Sequence, residues 1–464
     1  MNQIIEYKFN GYTSFYNTNN SKNISIPNYL LYMKDDIFNN YHFFDKVYPK
    51  ANFPTTTICL NISSNCNLNC VYCFNHNKHE KKLNFDQAKE FIDTIIKKTP
   101  NSKKYIIDLS GSGEPLLNLD LILKIANYAQ ELSNKIGREV LVTFISNGTL
   151  LTPAIAKLLQ EHFILFGISL DGDKEFHDKN RKFINGEGSY DRIISNYQSI
   201  EDKQFVGVGM TYLPEDKPRI LESYLFLSSL FNTISCRISR DCEFSDSSLE
   251  HLKIEYSKLT DFIIDDIKEK YNISFLTKMI NGDDYFGRYI IKVACNANIL
   301  SRCDAGVARF SLGTDNKVYI CSPAIDINEL CIDLNSFQSS NLFNQNIGSN
   351  KCNDCYLKPI CGGECKIVLL HNNGVPLKNM CELKKHLFYL SIKLVGFIQT
   401  YSPKLYKEFI DLVTEVLSRM YGNTKLLELY DSLKGIYSFV QLKQIFDYNR
   451  ELFDLLYKKY IITI

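Results

Sequence analysis

Three cysteines within eight residues, Cys66, Cys70 and Cys73 in the string Cys-Asn-Leu-Asn-Cys-Val-Tyr-Cys, constrain this chain more than any other feature. Three thiolates on one tight loop hold three irons of a [4Fe-4S] cube and leave the fourth iron without a protein ligand. A structural zinc site wants four ligands at closed tetrahedral geometry, so this loop would have to borrow a distant fourth. The favoured reading is a cube with one open iron, which is a place for chemistry.

The bulk numbers exclude several classes. The chain has 464 residues, 45% hydrophobic and 23% charged, as in ordinary globular proteins of several units. Lys plus Arg number 53 against 52 for Asp plus Glu, a net charge of +1, so no global field recruits nucleic acid or an anionic membrane. The first residues, Met1-Asn2-Gln3-Ile4-Ile5-Glu6, lack the pattern of a signal peptide, and no apolar run reaches membrane-spanning length. The expectation is a cytoplasmic protein, and fifteen cysteines in a reducing compartment read as metal ligands rather than disulfides.

Between residues 57 and 270 short apolar runs alternate with stretches of helical spacing. Strands are expected near Ile58–Ser63, Tyr105–Ser110, Val140–Ser146, Ile164–Leu170, Phe205–Tyr212 and Ile234–Ser239, with helices such as Phe85–Lys97 and Leu119–Leu132 between them. Such alternation predicts an α/β fold with a parallel sheet covered by helices. The strings Ser110-Gly111-Ser112-Gly113-Glu114-Pro115, Ser146-Asn147-Gly148 and Ser169-Leu170-Asp171-Gly172 fall at strand ends, where ligands gather. Periodicity alone does not separate an open sheet from a barrel. Residues 1–55 read as a hairpin, Ile4–Phe9 with Ser14–Tyr16, followed by a turn-rich Asn17–Asn23 and a short helix from Asn28. Residues 285–385 hold nine cysteines among loops and short strands, and 386–464 turn helical along Leu387, Leu390, Leu394 and Ile398 and again around Leu412, Val416 and Leu426.

The cysteine spacing, with Tyr72 just before the third cysteine, resembles the signature of the radical S-adenosylmethionine (SAM) enzymes. The resemblance implies a radical SAM core over 56–275, folded as a partial (βα)6 barrel with a wide lateral mouth. It implies that the open iron chelates SAM, and that one electron cleaves the sulfonium to a 5'-deoxyadenosyl radical that abstracts hydrogen. Gly111-Ser112-Gly113-Glu114-Pro115 is similar to the family's Gly-Gly-Glu-Pro motif, Ser112 replacing a glycine; Gly111 and Gly113 would let backbone approach a ligand and Glu114 would face the SAM ammonium. Ser146 and Asn147 are further cofactor-binding candidates. Ile168-Ser169-Leu170-Asp171-Gly172, continued by His177, Asp178 and Arg181, resembles the corresponding strand and loop of the peptide- and protein-modifying branch. By that likeness Ser169 touches the ribose or carboxylate, Asp171 belongs to the SAM-binding set, Arg181 pairs with the SAM carboxylate, Tyr72 lies against the adenine, and His177 is structural. The plain alternatives are that Asp171 caps a turn and Arg181 is a solvated charge.

Cys303 and Cys321, then Cys352-x2-Cys355-x5-Cys361-x3-Cys365 and Cys381, look like the seven-cysteine SPASM extension, which implies two auxiliary [4Fe-4S] clusters within 285–385. On that pattern Cys295, Cys303, Cys321 and Cys365 hold the nearer cluster, and Cys352, Cys355, Cys361 and Cys381 the farther one. Cys295 supplies the eighth thiolate; if it is only a buried thiol, the nearer cluster keeps an open iron. Asn316 stands where the family usually has glycine and tolerates the left-handed backbone. Structural zinc remains the alternative for Cys352, Cys355, Cys361 and Cys365. Cys59, Cys236, Cys242 and Cys331 read as buried small hydrophobes.

Two groups share this resemblance. Anaerobic sulfatase-maturing enzymes place an aspartate directly after the cysteine matched by Cys321, where this chain has Ser322. Maturases of ribosomally synthesised peptides form thioether or carbon crosslinks or epimerise residues, and the string Cys59-Leu60-Asn61-Ile62 is similar to theirs. The expected partners are therefore a precursor peptide or protein substrate and a reductant such as ferredoxin or flavodoxin. The hairpin in residues 4–26 either offers an edge to a leader peptide or simply covers the barrel. The non-enzymatic alternative is a zinc-rich interaction protein.

Overall fold

A computed structural model describes residues 4–43, 54–75, 81–204, 206–239, 243–297, 299, 301–335, 352 and 354–421. Phe205, Cys242 and Leu426, and the helical expectation beyond 421, lie outside the described residues.

Six parallel strands sit side by side in chain order: β4 (Thr55–Leu60), β5 (Lys104–Asp108), β6 (Glu139–Ser146), β7 (Leu165–Ser169), β8 (Gly207–Tyr212) and β9 (Ile234–Ile238). Helices Phe85–Lys98, Leu119–Ile136, Pro153–Glu161, Lys174–Asn180, Tyr190–Gln198 and Ile220–Leu230 make the crossovers. A doubly wound sheet reverses its strand order at a switch point. This sheet does not, so it winds in the manner of a barrel, which resolves the ambiguity that periodicity left. Each expected strand is present within a few residues, because alternation such as that of β6, with Val140, Val142 and Phe144 buried under helices, leaves little freedom of register.

Two further strands extend the sheet on the β4 side. The segment that follows the barrel returns as β10 (Arg309–Leu312), parallel to β4, and β11 (Val318–Tyr319) pairs antiparallel with β10. The full order is β11-β10-β4-β5-β6-β7-β8-β9, with β9 and β11 at the edges. Asn316 in the β10–β11 turn takes φ +64°, the left-handed conformation expected of it.

A separate antiparallel sheet, β1 (Ile4–Lys8), β2 (Tyr12–Asn17) and β3 (Asn23–Pro27), opens the chain. The hairpin was legible in the sequence and β3 was not: Ile24 and Ile26 are buried within a stretch whose Asn and Ser content reads as turn. Helix Lys378–Tyr401 runs across β2 and β3 and against helix Asp246–Lys270, burying Leu387, Leu390, Leu394 and Ile398. It begins eight residues ahead of His386, so Cys381 lies in its first turn. Tyr12 donates its hydroxyl to the Lys393 carbonyl at 2.5 Å, and a Cβ at Gly396 would lie 2.4 Å from Ser25 Oγ. The helix and the N-terminal sheet therefore touch through a residue with no side chain.

Candidate functional site

The loop carrying Cys66, Cys70 and Cys73 leaves β4 at the carboxyl end of the sheet, and all three thiols are half-buried. Six hydrogen bonds fix it. Glu114 N donates to Asn65 O at 2.8 Å, while Asn67 bonds Asn147 Nδ2 and Thr149 Oγ1, each at 2.8 Å. Asn69 N and Val71 N donate to Lys182 O and Asn180 O, and Tyr72 donates its hydroxyl to Asp171. The loops after β5, β6 and β7 thus grip the cysteine loop from three sides. Cys66 Sγ receives the Leu68 amide at 3.5 Å and Asn147 Nδ2 at 3.8 Å, the weak donors that a thiolate or a cluster sulfur accepts.

Both glycines of Gly111-Ser112-Gly113-Glu114 are needed for the close approach of neighbouring protein atoms. Gly113 has φ +83°, and a Cβ there would meet Asn65 O at 2.4 Å and Ser63 O at 2.5 Å. A Cβ at Gly111 would meet Asn61 Oδ1 at 1.8 Å, the same oxygen that accepts the Ser112 amide at 2.9 Å. Glu114 is buried rather than offered at a mouth: Oε1 accepts from Ser146 Oγ at 2.8 Å and from Leu116 N, and Oε2 accepts the Asn147 amide at 2.7 Å. Burial pushes its carboxyl above the usual range despite these donors. Glu114 therefore clamps the end of β6, and through Asn147 it fixes the cysteine loop.

Arg181 and Asp171 depart from the plain sequence readings of a turn cap and a solvated charge. Asp171 is fully buried and Arg181 nearly so; they form a two-point ion pair, Nε to Oδ2 at 2.8 Å and an η-nitrogen to Oδ1 at 3.1 Å. Asp171 is no turn cap and Arg181 no solvated charge, and the carboxylate that Arg181 pairs with belongs to this chain. Its guanidinium also lies over the Tyr72 ring, 5.2 Å from the centroid. His177 is structural as expected: Nδ1 accepts the Asp171 amide at 3.2 Å, and Nε2 meets Ser189 Oγ at 3.0 Å, which donates on to Arg181 O. Burial lowers its pKa to about 4, so the ring is neutral at pH 7. Ser169 ends β7, half-buried, opposite Gly209.

In the second cysteine field, Cys303, Cys321 and Cys365 border one apolar cluster with Ala305, Ile320 and Ile367. Cys295 ends helix Gly287–Ala294 and is exposed, so it is not the buried thiol of the alternative reading. Cys352, Cys355, Cys361 and Cys381 line a single cavity, partly open to solvent. Among the described residues no three His, Cys, Asp or Glu side chains close to the spacing of one metal ion. Four thiols around a cavity suit a polynuclear cube better than one tetrahedral zinc. Of the remaining thiols, Cys59 and Cys236 are buried and Cys331 is exposed, against expectation, at the end of a short helical turn.

Sequence reasoning missed several site residues. Asn61 bridges β4 to β10, its Nδ2 donating to Ser311 Oγ and Leu312 O at 2.8 Å each. Asp108, the last residue of β5, lies opposite Cys59 in the β4–β5 register, and Arg309 reaches both, 3.6 Å from Cys59 Sγ and 3.9 Å from Asp108 Oδ2, while binding Asp304 at 2.9 Å. Asp108 had a signal, as the residue closing a strand just before a glycine-rich loop. Arg309 had none, since β10 was not foreseen.

Residues 60–227 match the family model described as the Radical SAM superfamily. A cysteine-type anaerobic sulfatase-maturating enzyme of Clostridium novyi is 26% identical over 380 residues, 72% of this chain and 95% of that protein. The radical SAM cyclopropyl synthase TigE of Paramaledivibacter caminithermalis is 23% identical over 361 residues, 71% of this chain and 72% of that one. Among solved structures, native anSMEcpe with bound AdoMet and Cp18Cys peptide superposes with a TM-score of 0.58 at 19% identity, covering 75% of this chain and all of that chain. The three-thiol loop, gripped at the carboxyl ends of an in-order parallel sheet, lies within the residues that match the Radical SAM superfamily model, and over most of its length the chain is similar to an anaerobic sulfatase-maturating enzyme.

Proposed function

We propose that this enzyme is a maturase that uses a 5'-deoxyadenosyl radical to modify a ribosomally synthesised peptide, by a thioether or carbon crosslink or by epimerisation. Cys66, Cys70 and Cys73 would hold the SAM-binding [4Fe-4S] cluster, which supplies the electron that breaks the sulfonium. Tyr72, Gly113, Glu114, Ser146, Asn147, Ser169, Asp171 and Arg181 shape the SAM site, several of them by fixing one another and the cysteine loop. Cys352, Cys355, Cys361 and Cys381 would hold one auxiliary cluster, and Cys303, Cys321 and Cys365 with Cys295 the other.

One observation carries the choice of substrate. Directly after Cys321 stands Ser322, buried, its Oγ 3.2 Å from Ser311 Oγ. A hydroxyl tied to another hydroxyl supplies no carboxylate base at the position where the resemblance to sulfatase maturases calls for one. The second reading, oxidation of a sulfatase residue to formylglycine, is favoured by the likeness to the Clostridium novyi enzyme over nearly all of that protein's length. The N-terminal sheet, with β1 paired only to β2 among the described residues, leaves an edge to which a peptide strand can add.

The test is anaerobic incubation of the reduced enzyme with SAM and the precursor peptide encoded beside it, read by mass spectrometry. A mass change in that peptide, with 5'-deoxyadenosine released, supports the reading. Turnover of a sulfatase peptide alone reverses the ranking. Three cubes correspond to about twelve irons per chain; colourless zinc-loaded protein without SAM cleavage would establish the non-enzymatic alternative.

A further inference from the structure

The cavity lined by Cys352, Cys355, Cys361 and Cys381 carries charged side chains that the proposed reaction does not call for, among them Lys358 and Lys385, the latter paired with Glu382 at 2.8 Å. Glu364 and Lys384 both line it. Lys384 Nζ meets Glu364 Oε2 at 2.7 Å, with 3% and 2% of the two side chains exposed. Arg302 pairs with the other oxygen, Oε1, which also accepts the Cys365 amide at 2.8 Å. One carboxylate is therefore shared between two cations, and a positive charge is left over in a nearly dry wall. Taking a lysine out of water costs several kcal/mol unless an anion compensates. The four cysteines line the same cavity as this lysine.

We propose that Lys384, Glu364 and Arg302 form a charge-balancing triad whose surplus positive charge sets the reduction potential of the cluster held by these four cysteines. The inference rests on the reading that they hold a [4Fe-4S] cluster. A cube with four thiolate ligands carries net negative charge, and one-electron reduction makes it more negative without needing a proton. A buried cation at the cavity wall favours the reduced form and raises the potential; the carboxylate opposes it. The triad is a tuning device, since none of its members is a ligand.

The sign of the effect separates tuning from scaffolding. The reconstituted holoenzyme is titrated anaerobically against redox mediators, the electron coming from dithionite, and the cluster's spectroscopic signal gives its midpoint. Lys384→Gln is expected to shift that midpoint to more negative potential, Glu364→Gln to more positive, and Lys384→Arg to leave it near the parent value. The SAM-binding cluster should not move in any of them. Shifts of the same sign in the two Gln variants, or none, overturn the proposal. If Lys384→Gln fails to hold iron, Glu364→Gln and Lys384→Arg still decide: a more positive midpoint in the first with no change in the second supports tuning, and any other pair rejects it. Loss of about four irons in Cys352→Ser tests the cluster assignment by itself; full iron retention there sinks that assignment rather than the charge argument.

Discussion

Arg181 holds Asp171 by two hydrogen bonds at 2.8 and 3.1 Å with neither side chain meaningfully exposed, and the Tyr72 hydroxyl and Thr211 amide share the same carboxylate. This group joins the loop after β7 to the cysteine loop. Breaking a buried pair strands a charge, at about 3–5 kcal/mol. Arg181→Gln is expected to lower stability by that order in denaturant unfolding and to weaken SAM binding in equilibrium dialysis. Arg181→Lys, which keeps the charge but not the two-point geometry, should fall between. A solvated arginine would give two silent variants.

His177 makes stability depend on acidity. Its pKa falls from 6.5 unfolded to about 4 folded, so between those values the unfolded chain binds a proton that the native ring refuses. The contribution is fully present above pH 6.5 and is lost as pH falls toward 4, on the order of 3 kcal/mol in all. His177→Gln removes the titrating group. The difference between parent and variant in urea midpoint, followed from pH 7 down to 4.5, should narrow steadily; a constant gap would contradict the buried neutral ring.

Gly113→Ala is expected to cost far more than the loss of a flexible residue. A methyl group would collide with two backbone oxygens of the segment that enters the cysteine loop, at 2.4 and 2.5 Å, from a left-handed backbone. Neither oxygen can retreat without moving Cys66. The expected result is loss of about four irons per chain and of SAM cleavage, with the helical circular-dichroism signal largely kept. Normal iron content would show that the two loops are not held at this distance.

Gly396→Val tests what the N-terminal sheet is for. The added carbons would enter space held by Ser25 Oγ, Ser14 Oγ and Tyr12, and so prise the sheet from helix Lys378–Tyr401. If the sheet grips a peptide, modification of that peptide should fall at least ~10-fold, which is about 1.4 kcal/mol. Reductive SAM cleavage without peptide should hardly change. Equal loss of both would mark the sheet as a cover for the barrel.

What was legible in the sequence, and what was not, divides along physical lines. β4 to β9 announce themselves because each is a short apolar run bounded by helical spacing, and the three-cysteine loop because thiol spacing is nearly insensitive to the surroundings. β10 hides because four residues beginning with an arginine, Arg309-Phe310-Ser311-Leu312, carry too little periodicity to outweigh the cysteine-rich loops around them. The protein partners of Glu114 and Arg181 were not legible for a different reason. Motif likeness says which residues recur, while burial and hydrogen bonding decide whether a carboxylate faces a ligand or a backbone amide. Asp171 and Ser146 are close neighbours of these residues in space but not in sequence.

That β10 lies beside β4 bears on how such a molecule can be taken apart. Cutting the chain after the sixth barrel strand would strip β4 of a hydrogen-bonded neighbour and leave a raw flank of unpaired amides next to the thiol loop, an invitation to stick to other copies. The cysteine-rich tail is thus stitched into the catalytic half rather than hung from it, and a shortened version or a graft onto a foreign tail would need a substitute strand before it could stay in solution.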